Sequence, residues 1–336
     1  MPFERTTVNQ KVQIGAESTG ALGTSVAALK LVQCFSWQFQ IEADVVFYTP
    51  TGRKYPSTQE ENMEWTSASM SGTFDYNCSI YPLAGAMGSV TPVAHGPSVT
   101  AKDWIFSPPL SGSVLPQTYT IQQGDSVRAH ALSYGLFTDW GYKGTRKDFT
   151  TAGKLIGQKL TDGATLSSSP TAVALAPVVA SQVNIYLDPT YGALGTTQLL
   201  RVLAIEFDMS NIYAPLWVLN RATPSWTAHV DTLPKTSGKL KVEADAAGMA
   251  MLAYLQSGAT YYLRMDALGA QIASDGTGAS PIYNEIKHDM AIKFGKPTAF
   301  ADDSGVFAIE WTFELVEDSV WGHSQQITAT NLLTAL

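Results

Sequence analysis

Gly20-Ala21-Leu22-Gly23-Thr24 and Gly192-Ala193-Leu194-Gly195-Thr196 are one pentapeptide written twice in the same chain. A shared word of this length calls for a search for a longer internal repeat. Upstream of it, Val12-Gln13-Ile14 matches Val183-Asn184-Ile185. Downstream, Gln33, Phe35, Trp37 and Phe39 fall on Leu203, Ile205, Phe207 and Met209 at a constant offset of 170, which also carries Asp75 onto Asp245 and Gly88 onto Gly258. The register predicts a tandem duplication: a polar N-terminal arm at 1–10, a first domain at 11–181 and a second at 182–336.

Each copy reads mostly as strand. Residues 29–39 and 199–209 alternate apolar and polar side chains, the signature of a strand with one buried face. The opposite face of the second carries Glu206 and Asp208. An alternating stretch then leads into one helix per copy, expected at 76–87 and 246–257, with Asp75 or Asn77 placed to cap the first and Gly258 to stop the second. Strands separated by turn clusters such as Asp302-Asp303-Ser304-Gly305 follow. The expected fold is mainly β: two tandem β-sandwich or half-barrel domains, each with one packed α-helix.

Between the first two strands of each copy lies a segment that can project. In the first, Val45-Val46-Phe47-Tyr48 reads as strand and Thr49-Pro50-Thr51-Gly52 as a turn, followed by Arg53, Lys54 and Tyr55. Its sister, 211–238, is longer and carries Trp217 and Trp226. Such tryptophans either pack beneath their loop or anchor an interface.

Composition narrows the function. Charged residues make up only 15% of the 336, against about 25% in an ordinary soluble domain; partners are expected to cover much of the surface. A formal charge of -8 argues against binding by phosphate neutralisation, which needs clustered Lys and Arg. The two cysteines, Cys34 and Cys78, fall in the first copy only and face Ala204 and Gly248 in the second; thiols in a reducing compartment are expected. No signal-peptide core opens the chain, and its longest apolar run, 170–180, is too short to span a bilayer, so neither export by that route nor a membrane role is expected.

The pattern for catalysis is thin. There is no Gly-x-Ser-x-Gly elbow and no phosphate loop; Gly153-Lys154-Leu155-Ile156-Gly157 resembles one only superficially. The five histidines, His95, His130, His229, His288 and His323, lack metal-ligand spacing, so no metal, cofactor or enzymatic activity is expected. Glu310 and Glu314 share one face of a strand, which suits either a glycosidase pair or a solvated acidic face. The acidic-face reading is preferred. Asn77-Cys78-Ser79 is a formal glycosylation sequon, discounted for want of a secretion signal.

With repeat and element order established, the chain resembles the major tail tube protein of long-tailed, siphovirus-type bacteriophages. The likeness is to the large form found in phages of actinobacteria and thermophilic bacteria. The matching segments are Ile14-Gly15-Ala16-Glu17-Ser18-Thr19, Gly23-Thr24-Ser25-Val26-Ala27-Ala28, residues 64–72, Gln122-Gln123-Gly124-Asp125-Ser126-Val127-Arg128-Ala129, Leu160-Thr161-Asp162-Gly163, residues 242–252, and Ala308-Ile309-Glu310-Trp311-Thr312 through Trp321-Gly322. They span nearly the whole chain, and their order carries the weight. The resemblance implies a structural virion protein, assembled in the host cytoplasm, whose stacked rings conduct DNA at genome ejection. Tape-measure, tail-tip and terminator proteins are its implied partners.

If six similar units make a ring, a duplicated chain makes it as a homotrimer with pseudo-sixfold symmetry. Glu206, Asp208, Glu310 and Glu314 are then the candidates for an acidic lumen that repels phosphate. Ring-to-ring contacts are expected from Thr49, Pro50, Gly52, Arg53, Lys54, Tyr55, Trp217 and Trp226. The alternatives are another virion component, such as a decoration or head-completion protein, and a carbohydrate-active β-sandwich.

Overall fold

The computed structural model describes residues 7–96, 98, 100–219, 223–274 and 280–336. Residues 1–6 of the expected arm lie outside this set. Thr7–Asn9 form an exposed 3-10 turn.

The N-terminal half opens with β1 (Lys11–Ala16), β2 (Lys30–Leu31), β3 (Phe35–Tyr48) and β4 (Thr58–Thr73). The helix α1 (Ile80–Met87), short β5 (Val93–Ala94) and β6 (Lys102–Phe106) follow. The half closes with β7 (Tyr119–Gly124), β8 (Ala129–Thr145), β9 (Phe149–Gly157), β10 (Thr161–Ala164) and β11 (Thr171–Ala172). The C-terminal half runs β12 (Val183–Asp188), β13 (Val202–Ser210), β14 (Tyr213–Leu216), β15 (Ala228–Asp231), β16 (Lys235–Glu243) and α2 (Ala246–Ser257). It ends with β17 (Tyr261–Ser274), β18 (Pro281–Phe294), β19 (Ala301–Asp303), β20 (Val306–Leu315) and β21 (Gln325–Asn331). The protein is mainly β, with two α-helices among the described residues, as the alternating pattern requires.

One antiparallel strand order occurs in both halves. In the first it is β1–β7–β8–β9–β4–β3. In the second it is β12–β17–β18–β20–β16–β13. The registers agree as well. The row Trp37–Met70–Gly153–Trp140 crosses four strands of the first half, and Phe207–Gly238–Phe313–Phe294 crosses four of the second. Trp37 and Phe207 are 170 apart, the offset read from the sequence.

The two halves share one sheet. β13, the edge of the second order, pairs with the C-terminal part of β8, from Met209 opposite Trp140 to Ala204 opposite Thr145. Behind this seam the cores merge: Phe207 packs edge-on against His288 at 4.7 Å and beside Tyr142 at 5.8 Å. The Tyr142 hydroxyl meets His288 Nδ1 at 3.0 Å, and Gln325 Oε1 meets Nε2 at 3.0 Å. A second link joins β6 to β21.

Asp75 and Asp245 prepare the helices alike. Asp75 accepts the Cys78 N–H at 2.9 Å and Asp245 the Gly248 N–H at 2.9 Å, each three residues on. Tyr76 to Ser79 form a turn rather than helix, so α1 begins later than the sequence suggests. Gly258, in the left-handed region at φ 62°, ends α2.

The helices differ in cover. All eight residues of α1 are buried. The residues leading into β7 roof it: Gln117 N–H bonds the Ala84 carbonyl, and Ser89 N–H bonds the Leu115 carbonyl. Only Gly248 and Met251 of α2 are buried, because β17 starts almost at once and leaves no roof.

The cysteines correct the sequence reading. Cys34 and Cys78 are joined in a disulfide, with Cα atoms 6.6 Å apart, where separate thiols were expected. Asp75 holds the turn that brings Cys78 up to the start of β3.

Candidate assembly surface

The repeated pentapeptide folds onto a buried carboxylate in each half. Glu17, just after β1, takes the Gly23 N–H at 2.8 Å and the Thr118 hydroxyl at 2.8 Å on Oε2. Its Oε1 takes the Thr120 hydroxyl at 2.9 Å and the Tyr134 N–H at 2.8 Å. Asp188, at the end of β12, takes Gly195 N–H at 3.0 Å, Thr196 N–H at 3.3 Å and Thr197 N–H at 3.3 Å. Gly23 and Gly195 have φ of 78° and 99°, which explains glycine at both places. Burial alone would raise the Asp188 carboxyl; hydrogen bonds from Thr197, Thr196 and Gly195 outweigh it and hold the group below the ordinary carboxylate range. The sequence reading missed both acids, although each lies a few residues before the repeated word.

The four carboxylates proposed from sequence do share a face. Paired residues of neighbouring strands point to one side of a sheet, and Glu206 stands between Lys143 on β8 and Lys239 on β16. Their Nζ atoms lie 3.5 and 3.9 Å from its carboxylate. Asp208 stands between Gly141 and Ser237; burial, with Glu206 beside it, raises its carboxyl. Glu310 is opposite Lys241, and Glu314 opposite Lys293. Farther along, the same face continues through Asp139, Lys154, Ser69 and Gln38. It is polar and charge-balanced, with lysines interleaved among the acids, rather than acidic as the isolated strands suggest.

The same geometry bears on the glycosidase pairing. Four residues along a strand separate Glu310 from Glu314 by ~13 Å, beyond the roughly 5–9.5 Å at which paired carboxyls work in glycosidases. Among the described residues no group of three or more His, Cys, Asp or Glu is placed to hold a metal ion, and no helix is long and apolar enough to cross a membrane.

β3 and β4 continue past the core as a long hairpin, and every residue from 46 to 62 is exposed. Thr49, Pro50, Gly52, Arg53, Lys54 and Tyr55 form its tip, closed by Arg53 N–H on the Pro50 carbonyl at 3.0 Å. Phe47 and Tyr55 are 59% and 78% exposed.

The sister loop does the reverse. Its described residues form the small β14–β15 hairpin and reach back onto the N-terminal half through Ser225 and Trp226. Trp226 is completely buried: its indole N–H donates to the Gly157 carbonyl at 3.2 Å and its ring lies 4.2 Å from Tyr134. Trp217 meets Trp65 edge-on at 5.5 Å. Trp226 therefore corrects the expected ring-to-ring role: its polar atom and its ring are both satisfied inside the chain.

Among the described residues, the row of strands β3–β4–β9–β8–β13–β16–β20–β18 is open at both ends. Among the described residues β3 has a strand partner on one side only, β4, whereas its counterpart β13 is paired on both. At the end of β18 and just past it, residues 293–300 lie along β20 on one side, with Gly295 and Thr298 N–H bonding it at 2.8 Å each. No described strand takes the other side. The corresponding part of β8 is the stretch that holds β13.

No protein-family model matches the chain, and no curated protein matches it.

Proposed function

We propose that the chain is a tail tube subunit: three copies close into a ring, and stacked rings form the DNA-conducting tube of a long-tailed phage. The observation that carries this reading is the seam between β8 and β13. It joins two units of identical strand order and leaves one matching edge at each end of the shared sheet. Unpaired edges are a liability in a β protein, and ring closure removes them.

The two halves are read as copies of one ancestral unit at 11–181 and 182–336. Each contributes four strands to the row that crosses the seam, so three chains contribute twenty-four. At a spacing of ~4.8 Å per strand these close into a barrel ~37 Å across before tilt widens it. That leaves an open channel once side chains line it.

The polar face is assigned to the lumen. Interleaved lysines and carboxylates offer DNA no cluster of cations to neutralise its phosphates, and they neither repel nor hold it strongly. The exposed β3–β4 hairpin projects away from the core and is assigned to contacts between rings. This reading extends to the tape-measure, tail-tip and terminator partners that the sequence resemblance implies.

Negative-stain electron microscopy of the purified protein over a concentration series tests the proposal. Hollow tubes of stacked rings are expected. Dispersed particles at every concentration, or amorphous aggregates alone, would overturn it.

A further inference from the structure

The geometry points to a defined joint between chains: a second copy lays its β3 along residues 293–300 in the register of the β8–β13 seam, and its hairpin stem covers a cavity beside β20. This rests on the ring reading and specifies its partner surface.

The internal seam supplies the register. Trp140 and Phe294 hold the same place in equivalent four-strand rows, and Trp140 faces Met209 across the seam. Phe39 is the counterpart of Met209 at the offset of 170. Phe39 of the second copy therefore faces Phe294, and Gln40 faces Lys293. Burial agrees with a missing neighbour: Met209 is 4% exposed, while Phe39 is only partly buried and Ile41, next on its apolar face, is 62% exposed.

The cavity supplies the second observation. Its volume is about 440 Å³, and Thr232, Leu233, Pro234, Leu315, Val316 and Glu317 are among its walls. Counting along equivalent strands from the matched rows, Glu64 and Gly157 correspond to Thr232 and Glu317. In the N-terminal half that place is filled: Trp226, from the loop of the adjoining half, donates to the Gly157 carbonyl, while Ser225 Oγ donates to the Glu64 carbonyl at 2.7 Å. In the C-terminal half it is a cavity, walled on one side by Pro108 to Gly112 and Val114 of the N-terminal half. The adjoining unit there is the next chain, and the element corresponding to the Trp226 loop is its β3–β4 hairpin. With Phe39 on Phe294, Ile41 reaches the level of Ile292, which Tyr261 of β17 and Leu315 of β20 already flank, so the hairpin stem leaves the sheet there, on the side where Leu315 walls the cavity.

Cysteine pairs on the polar face test this without disturbing the core. Protein carrying Q40C and K293C, oxidised under assembly conditions, is expected to give covalent species ending at three chains on non-reducing gels, with the linked peptides joining positions 40 and 293 of different chains. The register control, Q38C with K293C, is expected to give at least tenfold less. Ile41→Asp, at an exposed site, is expected to leave melting unchanged and raise the concentration needed for assembly about tenfold or more. Assembled rings that link through 38 and 293 instead, or that tolerate Ile41→Asp, would overturn the joint while leaving the tube reading standing. Linked trimers without tubes would sustain the joint and overturn the tube. A chain that stays monomeric and unlinked overturns both.

Discussion

Asp188 receives the N–H of Gly195 at 3.0 Å, as Glu17 receives that of Gly23 at 2.8 Å. One pentapeptide is thus tied twice to the end of the first strand of its half, by acids of different length. Losing Glu17 strands the buried donors of Thr118, Thr120 and Tyr134 at once, each costing about 1–3 kcal/mol, whereas the donors on Asp188 belong to the half-buried Gly195 and the exposed Thr196 and Thr197. Glu17→Ala is expected to destabilise by about 3 kcal/mol or more in chemical denaturation, Asp188→Ala by less, and Asp188→Asn by less again. A loss under 1 kcal/mol for both would show the loops to be held elsewhere.

His288 makes the seam sensitive to acid. Enclosed by Tyr142, Phe207 and Gln325, its imidazole is pushed down to about 3, chiefly by burial. The unfolded chain binds this proton at ordinary histidine pH and the folded chain does not, so stability is lost as pH falls below about 6.5. Asp188 adds a loss only at lower pH, as its depressed carboxyl finally protonates. Melting curves between pH 7 and 4.5 should fall steeply for the native chain and more gently for His288→Gln. Parallel slopes would remove His288 as the cause.

Trp226 and Arg53 should separate stability from assembly. Trp226→Ala opens a buried cavity and is expected to cost about 3–5 kcal/mol. Arg53→Ala and Tyr55→Ala, at an exposed tip, are expected to leave the melting temperature unchanged while shortening tubes into single rings by electron microscopy. Full-length tubes from both tip variants would free the hairpin from ring stacking.

The balanced face should become adhesive when its acids are removed. With Glu206, Glu310 and Glu314 changed to Gln, Lys143, Lys239, Lys241 and Lys293 remain. Assembled variant protein is expected to retain DNA at low salt and release it steeply as salt rises, while the native assembly releases it throughout. Equal retention by both would show that this face does not meet DNA.

Much of the fold was readable because alternation and capping are local. Phe35, Trp37 and Phe39 marked a buried face, Asp75 and Asp245 marked the helix entries, and the Thr49 to Gly52 turn marked the exposed tip. The surface charge was not readable, because Glu206 meets Lys143 and Lys239 only once three strands are in register. The fate of Trp226 depended on Gly157 and Tyr134, distant in sequence. The disulfide needed the turn at Asp75 to bring Cys78 to Cys34. Contact between residues distant in sequence is the common factor in these misses, and alternation along one strand does not encode it.

The most direct test of the central claim is the mass of the smallest closed species, by native mass spectrometry of protein at the threshold of assembly. Equivalent halves joined at matching edges predict three chains, ~108 kDa from a 36.1 kDa chain. A closed species of six chains would contradict the equivalence of the halves, and a monomer at every concentration would contradict the assembly itself.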